Sequence, residues 1–191
     1  MTDLAEPKRG HKRDRLLASA IELTHQQGVL ATTLADVAQA AGVPLGNVYY
    51  YFKTKDDLIR AVIHTRAAQL RTMLDNLDTD AIPADRLKAL VHSWAETRDV
   101  IVRHGCPVGS LVAELDKRCD PLSGDAAELI ELILGWVQQQ FRQMGRADNR
   151  DLAITLFGQI QGAALLTATL RDPRIMARQV RRIQTWIDSL A

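Results

Sequence analysis

The chain has 191 residues and a formal charge of +1, and its composition, 47% hydrophobic and 25% charged, is that of an ordinary globular protein. This composition excludes extensive disorder and collagen-like or purely coiled-coil architecture. Two cysteines and five scattered histidines do not make a zinc site, so we expect neither a metal nor a cofactor. The amino-terminal segment lacks an apolar signal-peptide core, which predicts a cytoplasmic protein with reduced thiols.

Basic residues are concentrated near the amino terminus. Residues 1–66 carry nine Lys or Arg against seven Asp or Glu, and five of the basic residues fall within residues 8–15. Such a run suits phosphate binding, while a solvated, frayed terminus would have the same composition. We expect residues 1–10 to form a flexible basic arm.

The predicted elements are all helices. Apolar spacing predicts a first helix over residues 13–27, ended by Gly28, and Thr33 opens a capping box for a short second helix. Gly42 ends that helix, and Pro44 suits the first position of a third helix, because proline has no amide to leave unpaired. Further helices are predicted over about residues 54–76, 83–104, 107–117, 125–144, 150–170 and from 173 onward.

One of these helices contains 19 consecutive residues without a charge, residues 152–170, which is close to the length of a membrane span. The stretch also contains several glutamines and threonines. We therefore expect no membrane association and a helix buried in the core or at a subunit interface. Because no alternating strand pattern is visible, the predicted fold class is all-α.

Residues 31–58 carry the strongest functional signal. Two short helices flank a turn at Gly42, the helix-turn-helix arrangement in which the second helix enters the DNA major groove. Small or polar groups at the start of that helix suit base contacts, and nearby hydroxyl and ammonium groups suit phosphate contacts. The candidates are Leu45, Gly46 and Asn47 at the bases and Tyr49, Tyr50, Lys53 and Lys55 at the phosphates.

The spacing of these residues resembles the TetR family of bacterial transcriptional regulators. The family pattern is matched by Thr32-Thr33, Asp36-Val37-Ala38, Ala41-Gly42-Val43, Gly46, Val48-Tyr49, Tyr51-Phe52 and Lys55-Asp56-Asp57-Leu58. The resemblance implies an all-helical homodimer of about nine helices with a three-helix DNA-binding head. The expected domains are that head over residues 1–53 and a helical ligand-binding and dimerisation domain over residues 54–191.

The resemblance also implies contacts on a double-stranded, pseudo-palindromic operator, since the dimer is two-fold symmetric. Phosphate contacts are implied for Thr33, Tyr49 and Lys55, and base contacts for Leu45, Gly46, Asn47 and Tyr50. The family usually has Ser or Thr where this chain has Pro44. A hydroxyl cap is therefore lost at this DNA-facing position, although proline preorganises the first turn.

The rest of the chain is expected to bind a partner subunit and an effector. In the family, two late helices of each subunit form a dimer bundle, and residues 125–144 and 150–170 match them. The second of these helices contains small residues that allow a close approach of helix backbones, namely Gly158, Gly162, Ala163 and Ala164. Core packing within one subunit would use the same small residues. The central helices, about 84–118, would line a pocket for a small, largely apolar effector. Its candidate residues, each of which could equally be ordinary core or surface, are Val91, His92, Trp94, Arg98, Val102, Cys106, Leu111 and Leu115, with Trp136 and Phe157 from the dimer helices.

Cys106 precedes a predicted short helix, and the helix amino end with Arg103 and His104 would favour its thiolate. This suits a sensor of oxidants or electrophiles, with Cys119 as the resolving thiol. The alternative is that Cys106 is a small buried hydrophobe under a helix break. Residues 105–111, Gly-Cys-Pro-Val-Gly-Ser-Leu, resemble a segment of the LmrA/YxaF-like branch of the family.

We therefore predict a ligand-responsive repressor whose effector shifts the population toward a head spacing that misses the operator half-sites. The helix over residues 54–76 joins head to core and is expected to carry the coupling. A redox- or electrophile-sensing repressor acting through Cys106 is the closer alternative. A thiol enzyme is the remote one, and we predict no catalytic residue.

Overall fold

The structure, a computed structural model, describes residues 7–79, 82–117 and 121–190. These residues form helices and no strand, which confirms the all-α prediction. The ten segments become nine when α5 and α6, separated only by Thr97, are counted as one interrupted helix. The helices are α1 (Pro7–Ala31), α2 (Leu34–Ala41), α3 (Leu45–Tyr51), α4 (Lys55–Leu77), α5 (Pro83–Glu96), α6 (Arg98–His104), α7 (Pro107–Lys117), α8 (Ser123–Gln143), α9 (Asn149–Leu170) and α10 (Pro173–Asp188).

Local signals in the sequence set the turns of the amino-terminal head, α1–α3. The Thr33 hydroxyl accepts the Asp36 amide at 3.1 Å, and the Asp36 carboxylate accepts the Thr33 amide at 2.8 Å, which is the predicted capping box. Gly42 adopts φ 60° and ends α2, and the Val43 amide donates back to the Ala38 carbonyl at 2.9 Å. This left-handed closure needs glycine and sets the direction in which α3 leaves α2.

Arg15 ties α1 to the same turn. Its Nε donates to the Ala41 carbonyl at 3.0 Å and its Nη2 to the Gly42 carbonyl at 2.9 Å. Val37 of α2 and Val48 of α3 are fully buried beneath it. The orientation of α3 is therefore fixed both by the turn and by packing against α2.

α1 belongs to the head and to the helical body at once. It packs on α2, and it also packs on α4, α6 and α7. Within the body α4 packs on α8, and α10 packs on α5 and α9. Buried side chains of head and body form one continuous apolar cluster, so a domain division at residues 53 and 54 stays a prediction.

The single helix predicted over residues 83–104 is wrong, because the chain breaks it at Thr97. Thr97 has φ −91° and ψ 6°, and its hydroxyl donates to the Ser93 carbonyl at 3.1 Å. A threonine hydroxyl that bonds back to the carbonyl four residues earlier competes with the helical backbone and bends it.

The flexible arm expected over residues 1–10 stays a prediction, because α1 begins at Pro7 and residues 1–6 lie outside the described part of the chain. One further expectation about the head is corrected. Pro44 is the cap residue before α3, not its first helical residue. Its fixed φ of −55° and its carbonyl, which accepts the Asn47 amide at 2.8 Å, start the helix without a side-chain cap.

Among the described residues, α9 is the one helix long and apolar enough to cross a membrane by length and composition. It packs on α6, α8 and α10, and Ala153, Leu156 and Ile160 on its inner face are fully buried. A core helix of a soluble protein passes the same test, and one face of α9 lies in the core of this fold.

Candidate nucleic-acid interface and its link to the core

The outer face of α3 is exposed along its length. Val48 anchors the helix in the head, and Asn47 is half-buried beside it. The opposite face carries the exposed residues Pro44, Leu45, Gly46, Tyr49 and Tyr50. No heavy atom lies within 4 Å of the place where Gly46 would carry a Cβ, so a DNA backbone could approach here closely.

Thr33 and Lys55 flank this face and already make contacts inside the head. The Thr33 hydroxyl donates to the Asp36 carboxylate at 2.7 Å, and this hydrogen bond is the main reason that the pKa of Asp36 is lowered. Lys55 donates to the Leu30 carbonyl at 3.1 Å, and its positive charge suits a phosphate contact. Lys53 is exposed between α3 and α4.

Part of the basic run near the amino terminus makes contacts within the head, and phosphate binding by this run stays a prediction. The guanidinium of Arg13 lies 5.6 Å from the centroid of the Phe52 ring, a cation–π contact. Arg15 holds the turn after α2, and Lys12 is exposed. The side chains of Lys8 and Arg9 lie outside the described part of the chain.

Glu114 of α7 joins the head to the body. Gly28 interrupts α1 with φ 86°, and the next two amides leave the helical pattern. Val29 donates to Glu114 Oε2 at 2.8 Å, and Leu30 donates to Glu114 Oε1 at 2.7 Å. A Cβ on residue 28 would lie 2.8 Å from Glu114 Oε2, so glycine permits the close approach. No motif in the sequence marks Glu114, and the sequence analysis missed it.

His25 makes a second link between α1 and the body. Its Nε2 lies 3.0 Å from the Gly105 carbonyl, and its ring meets His104 edge-on at 5.7 Å. Burial is the main cause that lowers the pKa of His25; the charges of Arg66 and His104 act in the same direction, and the Gly105 hydrogen bond opposes them. The ring is therefore neutral at neutral pH and donates Nε2–H to Gly105.

The predicted effector residues do not gather around one cavity. Val91, Leu111 and Leu115 are buried in the core, and Trp94 packs edge-on against Phe157 with 6.4 Å between ring centroids. The remaining candidates are the exposed His92 and Arg98, the half-buried Val102, and Trp136, which donates to Asp78 at 3.1 Å. Cys106 is the one candidate that lines a cleft of about 510 Å³ between α1, α6, α7 and α9.

Cys106 is 5% exposed and sits at the start of α7. Its Sγ is 3.5 Å from the Gly109 amide and 3.6 Å from Gln161 Nε2, so two N–H donors face the sulfur. Burial lowers the pKa of the Arg66 guanidinium on α4, and the nearby Cys106 acts against this shift. Cys119 lies outside the described residues.

An exposed helix-turn-helix face on an all-helical body defines the class of DNA-binding transcriptional regulators. Residues 16–62 match the bacterial regulatory proteins of the tetR family, and residues 83–183 match the tetracyclin repressor-like C-terminal domain. The chain therefore belongs to the TetR family of transcriptional regulators, which are not enzymes.

Similar proteins cover nearly the whole chain. The regulator LmrA of Bacillus subtilis is 26% identical over 171 residues, which is 85% of this chain and 89% of LmrA. YxaF of the same organism is 25% identical over 86% of this chain and 88% of its own length. The crystal structure of SCO4454, a TetR-family regulator from Streptomyces coelicolor, has a TM-score of 0.81 at 21% identity, covering 95% of this chain and 96% of that chain, and shows the same fold.

Replacing Glu114 by Gln should loosen the end of α1. Charge-assisted hydrogen bonds are stronger than neutral ones, so we expect the free energy of unfolding to fall by about 1–2 kcal/mol in urea denaturation. Amide hydrogen exchange at Val29 and Leu30 should accelerate. Glu96→Gln, an exposed change on α5, serves as the control and should stay within about 0.5 kcal/mol of the wild type. Equal stability and equal exchange in E114Q and the control would refute the link.

The lowered pKa of His25 predicts a dependence of stability on pH. The unfolded chain binds a proton at His25 near pH 6.5, whereas the folded chain does so at a lower pH. The contribution of neutral His25 is therefore present above pH 6.5 and lost as the pH falls through the folded pKa. His25→Gln should flatten the loss of unfolding free energy between pH 7 and pH 5, and His64→Gln, an exposed change on α4, should not. The same slope in both variants would show that His25 does not titrate in this way.

Proposed function

We propose that the protein is a dimeric repressor that binds a pseudo-palindromic operator through α3 and releases it when a small effector binds the helical body. The observation that carries this proposal is the exposed face of α3, held rigidly by Val48 and the Gly42 turn. Base contacts would come from Leu45, Gly46, Asn47 and Tyr50, and backbone contacts from Thr33, Pro44, Tyr49, Lys53 and Lys55.

The outer surface of α9 supports a dimer through α8 and α9. Regulators of this family bind operators as dimers. α8 and α9 pack on each other, and α9 leaves large apolar side chains exposed, namely Ile154, Leu165, Leu166 and Leu170. Gly158 and Gly162 lie between them, with no heavy atom within 4 Å of a built Cβ, so a partner helix could approach closely. Burying such a stripe against a second copy removes apolar area from water.

Release of DNA requires that the body can move the head. α4 runs from one to the other, as the sequence suggests, but α1 is held directly by the Glu114 and His25 contacts. An effector that shifts α7 or the α6–α7 junction would pull on the end of α1 and on the link to α2. In a dimer this would change the distance between the two recognition helices, which must match the half-site spacing.

Fluorescence anisotropy with the DNA that flanks its own gene tests the DNA-binding role. Asn47→Ala should weaken specific binding about 5- to 150-fold, which corresponds to about 1–3 kcal/mol for a base-edge contact. Lys53→Gln should weaken binding to all sequences and reduce the salt dependence by about one phosphate contact.

Asn76→Ala, an exposed change in the last turn of α4, is the matched control and should bind as the wild type does. Tight binding that survives competitor DNA and weakens with salt is the expected wild-type result. Failure of the wild type to bind any DNA at low salt would overturn the role of α3. Unchanged affinity of N47A would remove Asn47 from the interface.

A second candidate is a repressor that responds to electrophiles through Cys106. It is favoured by the position of the sulfur, which lines the cleft, faces two N–H donors and lies near Arg66. An added group on Sγ would force apart α7 and α9, which meet at Gly109 and Gln161. The resulting strain would reach the head through α7.

Cys106→Ser distinguishes this candidate from simple ligand control. N-ethylmaleimide, whose double bond a thiolate attacks, should release DNA from the wild type and not from C106S if Cys106 is the sensor. Mass spectrometry should find the adduct on Cys106. Release that persists in C106S, or an adduct on Cys106 without release, would leave Cys106 as a buried packing residue.

A further inference from the structure

We propose that the cleft between α1, α6, α7 and α9 is the effector site and that it takes a small organic anion with an apolar body. This rests on the proposed function as an effector-controlled regulator and departs from the largely apolar effector that the sequence suggests. The cleft has a volume of about 510 Å³, within the range of small-molecule sites.

The charges around the cleft favour an anion. Arg103 and Arg171 line it, together with His104, and none of its described lining residues is a carboxylate. Arginine presents a planar fork of donors that fits a carboxylate with two parallel hydrogen bonds. Both residues are exposed, so a ligand can reach them from solvent.

Arg171 is held in place at a conformational cost. It ends α9 with φ 53°, and it is the one non-glycine residue of the described chain with a positive φ. Its Nη1 donates to the carbonyls of Val102 and Arg103 at the end of α6. A non-glycine residue in this left-handed conformation is strained, and such residues cluster at ligand sites. The positive charge of the Arg171 guanidinium therefore offsets the negative end of the α6 dipole, which lies beside the cleft.

The inner wall completes an amphiphilic site. Gly109 and Ser110 in the first turn of α7 line the cleft, so the positive end of the α7 dipole lies there. The apolar part of the wall consists of small side chains and one leucine, namely Ala113, Ala164, Ala168 and Leu165. Short side chains leave room for a flat apolar group, while the arginines hold an acidic group at the rim.

The cleft touches each part of the molecule that an effector must influence. Gln26 of α1 belongs to the head, Ala113 precedes Glu114 on α7, and Leu165 belongs to the proposed dimer face on α9. A ligand there would bridge head, body and subunit interface. Its binding free energy could therefore differ between the DNA-bound and released arrangements, which is the requirement for a population shift.

Isothermal titration calorimetry with benzoate and 2-naphthoate, each compared with its neutral amide, tests the site. We expect a carboxylate to bind at least about tenfold more tightly than its amide, as for a charged hydrogen-bonded pair. Arg103→Gln and Arg171→Gln should each remove most of this preference. Arg71→Gln, an exposed change on α4 outside the cleft, should retain it. Two arginine variants are used because R171Q also alters the end of α9.

The outcomes separate the site from the proposed function. Failure of both carboxylates to bind below about 1 mM, equal binding of acids and amides, or retention of the preference in both R103Q and R171Q would overturn the anion site. DNA binding by the same proteins is measured independently by anisotropy. Wild-type protein that binds the carboxylate and never binds DNA would instead refute the repressor, and carboxylate binding that weakens operator affinity is the expected result.

Discussion

The carboxylate of Glu114 satisfies two amides that α1 cannot satisfy itself, and the placement of the head depends on it. Gly28 turns the chain out of the helix, so the amides of Val29 and Leu30 lose their helical partners. Val29 is almost fully buried, and a buried amide without a partner costs about 1–3 kcal/mol. The body, not the head, supplies the missing acceptor. The head therefore cannot leave this position without exposing or orphaning those groups.

Three contacts hold the carboxyl-terminal end of α1, and they are made by different parts of the chain. Glu114 and the Gly105 carbonyl belong to the body, while Lys55, which bonds the Leu30 carbonyl, begins the helix that follows α3. The link between α1 and α2 is consequently held both by α4 and by the α6–α7 region of the body. A shift of α7 relative to α4 would strain it, and relief of that strain would rotate the head. In the proposed release of DNA, α1 would therefore carry part of the coupling, a role that its sequence, an ordinary amphipathic helix, does not suggest.

The turns of the head could be predicted because the residues that set them are neighbours in the sequence. Elsewhere such local signals are missing, so the contacts that hold the body and its link to the head could not be predicted. The Thr33 capping box and the left-handed Gly42 turn are written in adjacent residues, and both are confirmed. Contacts between distant residues have no such signature: Arg171 bonds a carbonyl 69 residues away, and Glu114 reaches across 85 residues. Apolar periodicity also finds buried residues without telling packed core from ligand wall. The spacing of Trp94 and Phe157 fits either a packed core or a ligand wall, and the structure places their rings against each other.

The position proposed for the effector rests on the free-energy cost of making room for a ligand in the protein. A ligand among Val91, Leu115 and their neighbours would have to displace fully buried side chains. Opening even about 100 Å³ in such a core costs about 2–3 kcal/mol before any contact is gained. The cleft beside Cys106 already provides its volume, and its arginines and the α7 amino end are already oriented. A preformed site loses less binding free energy to reorganisation of the protein. Because the cleft spans α1, α7 and α9, the binding free energy that remains can favour the arrangement in which the head has moved.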